Sequence, residues 1–285
     1  MSPKSIVVPM ESESEVKALW PSGVEFTDDL TPAGWIGPRL MGWGRVIGTP
    51  VGAVVPTGYP AYVRLLHPVS EGSERVRWRD LVEAAHLVYH PLIQWERLPS
   101  PLPPGIGHQY SNPEIGHMSE SLRRALVPHL AREGSTPDSV YFGIWDGWGY
   151  LHHKSSGDLT SVDDPLSRRP RRRVSLRGRH RKVEGRPTFS LPHRAYLLAH
   201  GALADLTRLP LYLTPSLIWP EDRAFCCATE IDFDSTLVGL SKEGARQILD
   251  DEDLEALPIS VEDRLDIGGD TLNPYPDPAS SRRQE

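Results

Sequence analysis

The sequence predicts an α+β protein, with a mixed or mainly antiparallel sheet, a few packed helices and long loops. Three observations lead there. Apolar runs of strand length recur along the chain. Helical spacing appears only in isolated blocks. Strands and helices do not alternate as βαβ units would.

Residues 20–58 are dense in glycine and proline, which favours loops and short strands. Residues 51–55 are apolar, Pro56-Thr57-Gly58 is a turn signal, and 59–66 reads as a second strand, predicting a hairpin. Apolar residues Trp78, Leu81, Val82, Ala85 and Val88 predict a helix over 77–89, ended by His90-Pro91. A short strand is expected over 92–98. Ser119 is placed to cap a helix over 120–132 that stops at Gly134, with a kink or break at Pro128.

Residues 140–145 predict a strand, and Asp146-Gly147 a tight turn that returns through 148–151. Strands are expected over 191–198, 223–229 and 231–238. A helical turn is expected over 202–208, and a helix over 242–249 capped by Ser241. Residues 1–19 and 270–285 are polar and read as disordered tails. Between them, 20–269 reads as one α+β domain carrying a basic loop insertion at 152–187.

A chain of 285 residues can bury a sizeable core without metal or disulfide. The only cysteines, Cys226 and Cys227, are adjacent, so no disulfide framework exists and a reducing cytoplasm is expected. No stretch has the apolar length of a membrane span, and no membrane partner is expected. The net charge of −7 conceals an asymmetry. Of 31 basic and 38 acidic residues, ten and one lie in 168–186, which leaves 21 against 37, a balance of −16.

Familiar enzyme signatures are missing. No phosphate loop ends in Gly-Lys-Ser/Thr, no Gly-x-Ser-x-Gly nucleophile turn occurs, and no CxxC pair suits zinc. The most pointed pattern is Glu230, Asp232 and Asp234. In an extended strand their side chains share one face, with Ile231 and Phe233 toward the core. Such oxygens would suit a divalent cation able to activate water. The competing reading is a solvated strand face or salt bridges to arginine. Apart from that cation, no cofactor is predicted.

Two further patterns each carry two readings. Trp145 and Trp148 form an aromatic binding surface or simply pack on the core. Arg168, Arg169, Arg171, Arg172, Arg173, Arg177, Arg179, Arg181 and Lys182 contact phosphate or nucleic acid, or settle against the acidic body. No aromatic interleaves this run, so base stacking is not indicated.

The stretch 219–239, which contains Cys226-Cys227-Ala228-Thr229-Glu230-Ile231-Asp232-Phe233-Asp234, resembles an uncharacterised family of high-GC bacterial proteins. So do 62–69, with Arg64, His67 and Pro68, as well as 141–149 and 191–198. Leu240 departs from an expected glycine, and the arginine-rich insertion is foreign to the pattern. The resemblance implies a cytoplasmic bacterial protein and no assigned activity. The leading expectation is a non-catalytic binding or accessory protein, of the immunity-protein type, whose partner is a protein. The alternatives are a metal-dependent hydrolase built on the three acids and a nucleic-acid-associated protein working through the basic loop.

Overall fold

The computed structural model describes residues 23–42, 49–71, 74–99, 110–148, 151, 183, 185–209, 214–266 and 268–275. The strands are β1 (Glu25–Thr27), β2 (Ala61–Leu66), β3 (Val69–Glu71), β4 (Glu74–Val76), β5 (Val140–Trp145), β6 (Phe189–Leu191), β7 (Arg194–Gly201), β8 (Leu217–Pro220), β9 (Cys226–Ala228), β10 (Ser235–Leu240) and β11 (Ala256–Pro258). The α-helices among these residues are α1 (Trp78–Ala84), α2 (Glu120–Glu133) and α3 (Lys242–Leu249). Nine strands form one sheet in the order β1-β7-β5-β8-β9-β10-β2-β11, with β6 sharing with β1 one edge of β7. All its pairings are antiparallel, and β3-β4 is a separate hairpin. The chain is therefore α+β, as its patterning requires.

The sheet is buried on both faces. On one face Val63, Leu65, Phe142, Ile144, Ile218, Cys227 and Val238 meet Leu122, Leu126 and Leu130 of α2 and Ala245 and Ile248 of α3. On the other, Leu198, Leu217, Trp219, Cys226 and Leu237 meet Ala33, Trp35, Ile36, Val51, Val54 and Val55. Among the described residues the layer over that second face has no α-helix. The two adjacent cysteines thus serve opposite faces, both free and buried, and burial pushes their thiols up. They behave as small apolar residues. A third apolar cluster joins α1 to the ends of β2 and β11 through Trp78, Leu81, Val82, Leu66 and Leu257.

Local signals gave the two longest helices. Ser119 Oγ accepts from the Leu122 amide (3.2 Å) and Ser241 Oγ from the Gly244 amide (3.0 Å). Helix α2 runs unbroken through Pro128, contrary to the expected break. Pro128 and Arg124, the residue four before it, both lie on the exposed side, so the freed carbonyl meets water. Helix α1 stops earlier than His90-Pro91. His86 takes a left-handed φ of 57°, and the amides of His86 and Leu87 close back on the carbonyls of Glu83 and Val82.

Several expected strands are absent. In place of a strand over 51–55 there is a buried 3-10 turn, Val51–Ala53, whose Val51 and Gly52 amides bond to the carbonyls of Asp263 and Val261 instead of a sheet neighbour. Residues 95–97 are also a 3-10 turn. The expected return through 148–151 lies partly outside the described residues; the described neighbours of β5 are β7 and β8. The expected strand at 191–198 is a hairpin bent at His193, with φ 68°. Residues 270–275, read from composition as tail, are held down: Asp270 is buried and accepts from His90 and the Asn273 side chain, and Tyr275 lies on Arg97. Among the described residues no helix is long and apolar enough to cross a membrane.

Candidate functional site

The site grows from one charged residue in an apolar strand. Arg64 sits in β2 between Val63 and Leu65 and is fully buried. A buried guanidinium needs several acceptors. Its Nε donates to Ser235 Oγ (3.0 Å) and its Nη2 to Asp234 Oδ1 (3.1 Å). Its Nη1 donates to the carbonyls of Pro91 (2.9 Å) and Ile93 (2.7 Å). One side chain thereby ties the start of β10 to the segment 91–97.

The loop between β9 and β10 carries the three acids singled out in the sequence. It is a turn, not a strand, which corrects the expectation of a shared carboxylate face. Strands β9 and β10 pair with Ala228 opposite Leu237, so the chain must reverse between them. The Phe233 amide closes the turn on the Glu230 carbonyl (3.0 Å). Glu230 turns inward, 6% exposed, and pairs with Arg194 Nη2 (2.7 Å). Burial pushes its carboxyl above the usual range, and Arg194 pulls it back. Asp232 is 75% exposed and reaches the same Arg194 at 3.3 Å, whereas Asp234 pairs with Arg64. The acids are divided between two arginines. Among the described residues no three His, Cys, Asp or Glu side chains are grouped to hold a metal ion.

The turn is fastened from below. The His67 amide donates to the Asp234 carbonyl (2.9 Å), and the Gly116 amide to the Phe233 carbonyl (2.9 Å). His67 is fully buried, and its Nδ1 faces the Glu114 carbonyl, which can only accept. Nδ1 therefore carries the proton, and Nε2 accepts from Thr236 Oγ1 (3.0 Å), which in turn accepts from Thr229 Oγ1 (2.8 Å). Burial pulls the His67 pKa down to about 4. His117, stacked on Trp148 and bonded to Thr214 Oγ1, is likewise held at about 4, by burial first and then by the charges of His67 and Arg123.

Gly116 has φ 74°, and an added Cβ would lie 2.6 Å from the Ile231 carbonyl oxygen. Gly116→Ala is expected to cost about 1–3 kcal/mol, by strain and by displacing the acidic turn. Thermal unfolding checks this, and a variant as stable as the parent would show the turn free to shift.

These fastenings leave a cleft of about 250 Å³ lined by Arg64, Gln94, Glu96, Ile115, Asp232, Phe233, Asp234, Ser235, Leu265 and Asp266. The acids lining it are Glu96, Asp232, Asp234 and Asp266. Arg64 is the one arginine in the lining, and Arg194 and Arg264 pair with Asp232 and Asp266 from beside it, so the lining keeps an acidic excess. Ile115, 53% exposed, stands on its rim. Of these residues, sequence reading singled out the turn acids; Gln94, Glu96, Ile115, Leu265 and Asp266 carry no local motif. Arg64 did carry a signal, since an arginine in an apolar strand demands buried partners.

The tryptophans do not form an open platform. Trp145 and Trp148 meet edge-on (5.1 Å, 81°), Arg194 lies over Trp145, and His117 stacks on Trp148 (4.4 Å, 24°). Both rings pack against core clusters. The basic residues 168, 169, 171–173, 177, 179, 181 and 182 lie outside the described residues. By fold and site, the molecule is an α+β protein with an acid-rimmed surface cleft. Comparison with family models, with curated proteins and with solved structures found no match.

Proposed function

We propose that this chain is a non-catalytic binding protein of the bacterial cytoplasm that engages a protein partner through the acid-rimmed cleft. The observation that carries this reading is the cleft itself: carboxylates of Glu96, Asp232 and Asp266 around the apolar groups of Ile115, Phe233 and Leu265. An apolar centre with a charged rim is the layout of protein interfaces. The acidic balance of the chain outside 168–186 supports a basic partner and works against a phosphate backbone at this face. The hydrolase alternative needs three converging carboxylates, and the turn separates them. Two buried thiols suit a reducing compartment.

The test compares the immobilised full-length chain with its Glu96→Lys/Asp232→Lys variant in lysate of the native host. Both substituted side chains are exposed, so the fold should survive, as circular dichroism would verify. A stoichiometric partner held by the parent and lost by the variant, with retention falling as salt rises, is the expected result. No partner, or identical retention by both, overturns the reading.

A further inference from the structure

We infer that the cleft receives a single arginine side chain of the partner, with the guanidinium between Gln94, Glu96 and Asp234 and the aliphatic stem along Phe233, Ile115 and Leu265. This rests on the protein-binding reading above and names what that partner must present.

Size comes first. A cleft of about 250 Å³ falls below the roughly 300–1,000 Å³ of sites that enclose a whole small-molecule ligand, and suits one inserted side chain. The second point is the state of its polar groups. Gln94 is 5% exposed, and its Nε2 donates to the Leu92 carbonyl (3.1 Å). Its Oε1 accepts no hydrogen bond among the described residues, although the side chain lines the cleft. That oxygen stays open to water at the cleft, so a ligand donor would take the place of a water there. Asp234 gives Oδ1 to Arg64, and Oδ2 accepts nothing among the described residues. Glu96 makes no ion pair there either.

The free groups are all acceptors, so the ligand must donate. They belong to separate side chains, which suits a planar fork of five N–H groups better than a compact ammonium. Phe233 adds an aromatic wall, on which a guanidinium can lie. An arginine stem would shield the apolar walls while its head stays hydrogen-bonded. The buried Arg64 does not repel it fully, because Asp234 and three other acceptors already surround that charge.

The experiment titrates the isotopically labelled full-length chain with N-acetyl-arginine methylamide and follows backbone amides by NMR. The neutral isostere N-acetyl-citrulline methylamide and the lysine analogue are run in parallel. Expected are saturable shifts confined to residues 94–96, 115, 232–235 and 265–266. Citrulline should bind roughly tenfold more weakly, the loss of one charge-assisted contact. Glu96→Gln and Gln94→Leu, each checked for fold by the same spectra, should each weaken arginine binding. No localised shifts, or equal binding of citrulline or of the lysine analogue, overturns the assignment. Failure here is separable from failure of the wider reading. A protein partner still lost by the charge-reversed variant, with no arginine binding in the cleft, removes the side-chain assignment alone.

Discussion

Replacing Arg64 by methionine should destabilise the protein by about 3–5 kcal/mol, the usual cost of removing one partner from a buried charged pair. The substitution keeps a long flexible side chain in β2, so the loss is not one of packing volume. What disappears is the set of donors that serve Ser235, Asp234 and the carbonyls of Pro91 and Ile93. Asp234 would keep a half-buried charge with no counterion. Adding Asp234→Ala to the methionine variant should therefore recover part of the loss, since the stranded carboxylate goes with it. Urea unfolding of the single and double variants measures both effects. An unchanged midpoint in Arg64→Met would mean that the arginine holds nothing together.

Mild acid should weaken the fold strongly, through His67 and His117. Both are held at about 4 in the folded chain, below the ordinary histidine value of 6.5. The unfolded chain therefore binds protons that the folded chain refuses. Stability contributed by the neutral rings is complete above pH 6.5 and is lost as pH falls from 6.5 to about 4. A difference of this size corresponds to about 3 kcal/mol for each histidine. Protonating His67 would also force a second N–H against Thr236, reversing the Thr229–Thr236–His67 chain of donors. Denaturation at pH 7, 5.5 and 4.5 tests this, and a flat profile across that range would refute it.

What the sequence made legible was local. Ser119 and Ser241 announce their helices because a cap acts within three residues, and the apolar run at 140–145 announces β5 for the same reason. Strand partners were not legible. β5 lies between residues 194–201 and 217–220, a choice made by packing across the sheet rather than by the Asp146-Gly147 turn. The acids at 230–234 alternate with apolar residues as a half-buried strand would, yet the antiparallel pairing of β9 with β10 demands a reversal there. Aspartate suits such turns as well as it suits an exposed strand face. The cleft was legible only in part, because Gln94, Glu96, Ile115 and Asp266 come from segments far apart in the chain and meet through buried Arg64 and through backbone bonds.

The wrapping over the second face of the sheet has a kinetic consequence. Residues 25–27 pair with 198–200, and the amides of 51 and 52 bond near residue 262, so this covering joins parts of the chain separated by more than 170 positions. Closing such distances carries a large entropic toll before any contact rewards it. The helical side, by contrast, is built on capped segments that can form early. Refolding should accordingly assemble the helix-backed side of the sheet first and dock the amino-terminal wrapping last, leaving Trp219 and Leu217 briefly open to solvent as a point where association between unfinished chains begins.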